Sequence, residues 1–107
     1  MIKVEFFTSD NGITGYKISG HSGFRKRGSD IVCSAVSSAA YMTVNTITDI
    51  IKCDVDIRNS NGLMIITVNS KISEAQQILE GLKLHLEALA ADYPDNIKVT
   101  TRRCQNA

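Results

Sequence analysis

The chain has 107 residues, of which 43% are apolar and 21% are charged, and its formal net charge is +1. These values are typical of a soluble globular protein, and we expect residues 1–107 to form a single domain. A net charge so close to zero excludes a global field for nucleic acid or a membrane surface. Charges interrupt the N-terminal apolar residues, so we expect no signal peptide, no membrane-spanning segment and a cytoplasmic location.

The three cysteines, Cys33, Cys53 and Cys104, are odd in number and widely spaced. This spacing fits neither a disulfide framework nor a zinc site. We interpret Cys53 as a buried residue of a strand and Cys104 as an incidental residue of a loose tail. His85, alone on a predicted helix, is interpreted as a surface residue.

The N-terminal residues predict a β-hairpin. Residues 2–8 alternate between apolar and polar side chains, and residues 13–19 do so again. The intervening Ser-Asp-Asn-Gly at 9–12 is typical of a tight turn. Strict alternation places Ile13 and Tyr16 on opposite faces of the second strand.

A loop and a long helix follow the hairpin. Residues 22–29 are rich in charge and glycine, which predicts a loop, and Asp30 fits the N-cap of the next helix. One apolar face of that helix comprises Val32, Val36, Ala39, Ala40, Val44, Ile47 and Ile51. Small residues between Ser34 and Ala40 indicate close helix-on-sheet packing.

The remaining sequence predicts a second hairpin, a second helix and a last strand. Residues 53–58 and 63–68 form the hairpin, and the apolar run of the second strand indicates a central position, buried on both faces. Ser73 and Gln76 form a capping box for the second helix, which ends at residues 93–96. Residues 97–101 form the last strand, and the tail at 102–107 is expected to fray.

The predicted order is therefore ββαββαβ. We expect an α+β fold in which two helices pack on one face of a mixed, mostly antiparallel sheet. The other sheet face or an edge is left for a second copy of the chain.

His21 and Cys33 flank the predicted loop and are a candidate pair of base and nucleophile. A thiol reacts as thiolate, and lowering a thiol pKa by two units requires about 2.7 kcal/mol, whereas a helix N-terminus supplies roughly 0.3–1 kcal/mol. The rest must come from a cation or a donor, and His21 is the nearest candidate. Ser37 lies one helical turn after Cys33, and Asp30 can cap the helix or orient His21.

The segments GHSG at 20–23 and GSDIVCSAVS at 28–37 resemble the signature of the ribosomal-processing cysteine protease family (Prp). In that family, a Cys–His dyad cleaves a short N-terminal extension from large-subunit ribosomal protein twenty-seven, next to a pair of phenylalanines. The order and length of the elements agree with the family over nearly the whole chain. The resemblance implies a homodimer that needs neither a metal nor a cofactor.

By this resemblance Cys33 is the nucleophile, His21 is the base and later the acid, and Asp30 and Ser37 are supporting residues. Backbone N–H groups at the helix start, including that of Cys33, would hold the oxyanion. Phe24 and Tyr41 are candidates for an aromatic cleft. The mobile loop that closes over the peptide comprises Gly20, Ser22, Gly23, Phe24, Arg25, Lys26, Arg27, Gly28 and Ser29.

Two other functions compete with this interpretation. The basic triplet at 25–27 is interpreted first as a solvated loop and only second as a contact with the ribosome or rRNA. The alternative function is a non-catalytic ribosome- or RNA-associated module that uses this triplet. A redox-sensing thiol is the second alternative, although Cys53, twenty positions after Cys33, is no neighbouring resolving cysteine.

Overall fold

The computed structural model describes residues 1–20 and 27–104, and within the second range it describes side chains from residue 31 onward. The described elements follow the predicted order ββαββαβ. Their bounds are β1 Ile2–Ser9, β2 Gly12–Ser19, α1 Arg27–Asn45, β3 Val55–Ser60, β4 Leu63–Val68, α2 Ile72–Asp92 and β5 Ile97–Arg103. A π-helical segment, Thr46–Ile51, continues α1 without a break.

The strands form one sheet in the order β3-β4-β2-β1-β5. The pairs β1–β2, β2–β4 and β3–β4 are antiparallel, and β1–β5 is parallel. The prediction of a mixed, mostly antiparallel sheet is thus confirmed. The internal position of β4 is confirmed as well, but its second face, which carries Leu63 and Ile65, is half-buried rather than buried.

The helices cover one face of this sheet. Phe6 pairs with Tyr16, and Tyr16 pairs with Ile66, so the three side chains form a row across the sheet, and each is fully buried. Buried residues of both helices, Val36 of α1 and Leu79 of α2 among them, complete the same core. Burying one such side chain stabilises the fold by about 1.5–3 kcal/mol.

A β-bulge changes the predicted face of Ile13. The register shifts between Phe7 and Thr8, where Phe7 pairs with Gly15 but Thr8 pairs with Ile13. The extra residue, Thr14, moves Ile13 to the face that carries Tyr16, and Ile13 is buried there. The prediction of opposite faces was wrong because strict alternation assumes an uninterrupted ladder.

The predicted starts of both helices were wrong. α1 begins at Arg27, so Arg27, Gly28 and Ser29 belong to its first turn, and Asp30 is not the N-cap. The prediction followed the apolar stripe, but the first turn forms through its backbone carbonyls and needs no apolar side chain.

The capping box of α2 is absent from the structure. Lys71 occupies the N-cap position without a side-chain capping bond, and Ser73 lies inside the helix, where its hydroxyl donates to Glu74. The Gln76 side-chain amide turns instead toward β2, where it accepts from the Ile13 N–H at 2.8 Å and donates to the Ile13 carbonyl at 2.7 Å. These tertiary bonds replace the local capping bond.

The expected fraying of the tail was also wrong for its first residues. Arg102 and Arg103 extend β5 alongside Phe7 and Thr8 of β1. The Arg102 guanidinium lies 5.2 Å from the centre of the Phe7 ring, and the Cys104 N–H donates to the Thr8 carbonyl at 2.7 Å. Residues 105–107 lie outside the described part.

The helical stretch Ile31–Ile51 is long and apolar enough to cross a membrane by length and composition, contrary to the expectation of no such segment. In this fold its apolar stripe, which includes Val32, Val36 and Ile47, packs into the core on the sheet. Core helices meet the same criterion.

Candidate active site

α1 positions the candidate nucleophile. Cys33 is half-buried and packs against the core, next to the fully buried Val32 and one turn before the buried Val36. The exposed Ser37 follows Cys33 by four residues, which places both side chains on one side of the helix. The structure therefore brings together these two predicted site residues.

A cavity of about 230 Å³ opens beside this helix face. Cys33, Ser37 and Tyr41 of α1 line one side of it, and the tip of the β3–β4 hairpin lines the other side. Ile18 and Met64 contribute apolar surface. Such an arrangement suits a peptide side chain held next to a thiol.

A side-chain hydrogen bond joins the hairpin tip to α1. The Asn59 side-chain amide donates a hydrogen bond to the Tyr41 hydroxyl at 2.9 Å. Tyr41 is 44% exposed. Tyr41 was a predicted candidate for an aromatic cleft, and it does line the cavity beside Cys33.

The end of β2 lies at this cavity. Gly20 lines it, adopts a φ of 86°, and donates its N–H to the Gly62 carbonyl at 3.1 Å. A Cβ at Gly20 would lie 2.5 Å from the Met1 carbonyl oxygen. This position thus requires glycine for two reasons, its left-handed backbone conformation and its close approach to the Met1 carbonyl. The next residue in sequence is His21.

The other predicted loop residues lie outside the described part of the chain. These are His21, Ser22, Gly23, Phe24, Arg25 and Lys26, together with the side chains of Arg27, Ser29 and Asp30. The predicted dyad, the supporting role of Asp30 and the mobility of the loop therefore stay predictions.

The early start of α1 corrects the expected oxyanion donors. Cys33 is the seventh residue of α1, where its backbone N–H lies within the range of bonds to the carbonyl four residues earlier. Within α1, the N–H groups of residues 27–29 are the ones without a helical acceptor. The positive charge of a helix N-terminus also falls off within the first turn, so it acts more weakly on Cys33 than it would in a helix beginning at Asp30.

Tyr16 fixes β2 to α1 beneath the cavity. Its buried hydroxyl donates a hydrogen bond of 2.9 Å to the carbonyl of Ala40, which also lines the cavity. Burial raises the pKa of the Tyr16 phenol far above its ordinary value. The phenol therefore stays neutral and remains a hydrogen-bond donor.

The other thiols and the second histidine lie away from the cavity. Cys53 is buried in the core, as predicted, although it precedes β3 rather than lying within it, and burial is the main cause of the raised pKa of its thiol. Cys104 is half-buried after β5 and its N–H bonds to β1, so the prediction of a loose tail was wrong there. His85 is exposed on α2, as predicted. Among the described residues, no three histidine, cysteine or carboxylate side chains converge on one point that could hold a metal.

Sequence reasoning missed the contribution of the β3–β4 hairpin tip. Asn59, Asn61 and Leu63 line the cavity, although none of them was a predicted site residue. The Asn61-Gly62 pair indicated the turn itself. No local signal indicated that this turn, rather than the one after β1, would face α1.

The sequence pattern of the family described as "Cysteine protease Prp" matches residues 1–98. The ribosomal processing cysteine protease Prp of Bacillus subtilis is 29% identical over 99 residues, which cover 86% of this chain and 88% of that protein. The Prp of Staphylococcus aureus strain Mu50 is 30% identical over 103 residues, which cover 92% of this chain and 97% of that protein.

The fold is similar to solved structures of the same kind. A crystal structure of the ribosomal processing protease Prp of S. aureus with a covalently linked product peptide matches with a TM-score of 0.85. It is 28% identical, and the match covers 95% of this chain and 100% of that chain. A structure of that protease with a substrate peptide matches with a TM-score of 0.86 at 27% identity.

Proposed function

Because this chain belongs to the ribosomal processing cysteine protease family Prp, and is a cysteine protease, we propose that it removes the N-terminal extension of large-subunit ribosomal protein twenty-seven, next to a Phe-Phe pair. The observation that carries the assignment of the site is the position of Cys33 at the cavity between α1 and the β3–β4 hairpin. The peptides bound to the S. aureus relative support a peptide substrate.

Cys33 is the nucleophile of this proposal. Its thiolate attacks the scissile carbonyl, the C–N bond breaks, and His21 protonates the leaving amine. Water, deprotonated by His21, then hydrolyses the thioester to a carboxylate and regenerates the thiol. The covalently linked product peptide of the S. aureus relative supports a covalent step.

The first turn of α1 supplies the oxyanion donors in this mechanism. Helical side chains lean toward the N-terminus, so Cys33 leans toward the backbone N–H groups of residues 27–29. The loop preceding α1 brings His21 to the thiol and closes over the peptide, with Asp30 and Ser37 as supporting residues. A thiol that must remain reduced fits a cytoplasmic enzyme.

The first test is cleavage of a peptide that carries the Phe-Phe extension. We expect Cys33→Ala to lower kcat by about 10⁶-fold, since the nucleophile is lost. Cys104→Ala is the matched control and should retain the parental rate because Cys104 lies outside the cavity. Cleavage by Cys33→Ala at the parental rate would sink the proposal.

The second test concerns the dyad. His21→Ala should lower kcat by roughly 10²–10⁴-fold, the range for a general base, and leave the fold intact. His85→Ala, which changes an exposed histidine of α2, is its control. Equal rates for the two variants would assign the base to another residue. Retention on rRNA that falls steeply with salt, without any peptide cleavage, would favour the RNA-associated module instead.

A further inference from the structure

The cavity beside Cys33 has a defined far end. Along α1, Tyr41 lies eight residues after Cys33, which corresponds to roughly 12 Å of helix. The Tyr41 hydroxyl meets the Asn59 side chain there, so one hydrogen bond connects the helix to the hairpin across the cavity. Moving either partner would open that end.

The size of the cavity restricts what enters it. A benzene ring fits an apolar cavity of about 150 Å³. The volume of about 230 Å³ beside Cys33 therefore accommodates one ring with its linking methylene, whereas two rings, which need about 300 Å³ on this scale, exceed it. Leu63 and Met64 of the hairpin and Ile18 of β2 give it apolar walls.

The polar side chains that line the cavity are exposed to solvent. Ser37 is exposed, and Asn59, Ser60 and Asn61 are exposed at the hairpin tip. An apolar interior with a polar rim recognises a side chain by shape and its backbone by hydrogen bonds.

We propose that Tyr41 and Asn59 are specificity-determining residues: joined by their hydrogen bond, they close the far end of the cavity beside Cys33 so that it accepts a single ring-sized apolar side chain of the substrate peptide. The inference rests on the proposed function for the identity of the substrate. It assigns the limit of side-chain size to these two residues.

The test measures peptide binding by Cys33→Ala, which cannot form the thioester, using fluorescence anisotropy. The probes are labelled extension peptides in which each of the two Phe positions carries in turn Phe, Ala or Trp. With Tyr41 intact, replacing the ring by Ala at one of these positions should weaken binding at least about tenfold. Trp at that position should bind more weakly than Phe.

Tyr41→Ala in the same background should reverse this preference. The peptide with Trp should gain affinity relative to the peptide with Phe. The loss of affinity on replacing Phe by Ala should shrink by about threefold or more, because the effects of changing two groups in contact are not additive. Tyr93→Ala, at the exposed tyrosine after α2, is the matched control and should leave the preference unchanged.

Tyr41→Phe and Asn59→Ala each remove the hydrogen bond between the two residues but keep most of the side-chain surface at this end of the cavity. In both variants the peptide with Trp should regain part of its affinity. They keep the inference testable if Tyr41→Ala fails to fold. An unchanged order of preference in these variants, or no binding of any probe, would overturn the inference. Parental turnover of the Phe peptide, measured in parallel, tests the proposed function separately.

Discussion

Tyr16 shows how a single residue supports the site without touching it. Its ring lies 6.1 Å from that of Phe6 in the core, and its hydroxyl bonds to the Ala40 carbonyl beneath the cavity. The bond connects the strand that precedes His21 to the helix that carries Cys33. Tyr16→Phe should therefore lower the free energy of unfolding by about 0.5–1.5 kcal/mol at neutral pH.

The pH dependence of stability should reveal the contribution of the buried Tyr16 phenol. Because burial raises the pKa of its phenol in the folded protein, the unfolded chain ionises first. The contribution of the neutral Tyr16 phenol to the free energy of unfolding is complete below the ordinary tyrosine pKa of about 10 and is lost as the pH rises above it. Urea unfolding from about pH 8 to 11 should show a steeper loss for the parent than for Tyr16→Phe. Parallel curves would contradict this origin, and Tyr93→Phe is the control.

At the scale of elements, Gln76 attaches α2 to β2. Its side-chain amide bonds to both the N–H and the carbonyl of Ile13, and also donates to the Ile72 carbonyl at 2.9 Å. Gln76→Ala leaves the half-buried Ile13 backbone groups without these partners, so the free energy of unfolding should fall by about 1–3 kcal/mol.

The neighbouring Gln77 offers a matched control for this prediction, because it is the same residue type on the exposed side of α2. Gln77→Ala should change the free energy of unfolding by less than about 0.5 kcal/mol. Chemical denaturation of both variants measures the two losses in free energy of unfolding. Equal losses would show that the bonds to Ile13 do not stabilise the packing of α2 on β2.

Replacing two glycines by alanine, Gly20 after β2 and Gly81 in α2, should change the stability of the fold in opposite directions. Gly20→Ala should destabilise the fold and lower activity, because a left-handed alanine costs about 1–2 kcal/mol and its Cβ would meet the Met1 carbonyl. In α2, a Cβ at Gly81 would meet nothing within 4 Å, so Gly81→Ala should stabilise by about 0.5–1 kcal/mol. Thermal unfolding checks both, and a stabilising Gly20→Ala would contradict the close approach.

Element types were predictable because they depend on local periodicity. The α1 stripe through Val32, Val36 and Val44 is buried as its spacing indicated. Element ends were less predictable, since Arg27 begins α1 outside the apolar pattern and the Thr14 bulge reverses the face of Ile13. Both depend on backbone pairing, which composition does not encode.

At the scale of the whole molecule, the cavity could not be predicted from local patterns. Cys33 and His21 were identifiable by residue chemistry and by the resemblance, but Asn59 reaches the site only because β4 lies beside β2 in the sheet. Strand order is set by long-range packing, and the same hairpin at the other edge would leave the site without this wall.

The assembly of two copies remains a proposal at this scale. The sheet face opposite the helices carries Ile65 of β4, which is only half-buried, and we propose that this face lies against a partner. Light scattering after size exclusion should give twice the 11.7 kDa of one chain. A mass of one chain across micromolar concentrations would contradict the homodimer.

The parallel pairing of β5 with β1 has a consequence for synthesis of the chain. Ile2 pairs with Ile97, and Thr8 pairs with Arg103, so β1 gains its second neighbour only when the distant strand β5 has been made. Until those residues leave the ribosome, β1 is an open sheet edge, the kind of surface that pairs with other chains. We therefore expect the sheet to close only after β5 has left the ribosome, and chains cut short before β5 to aggregate.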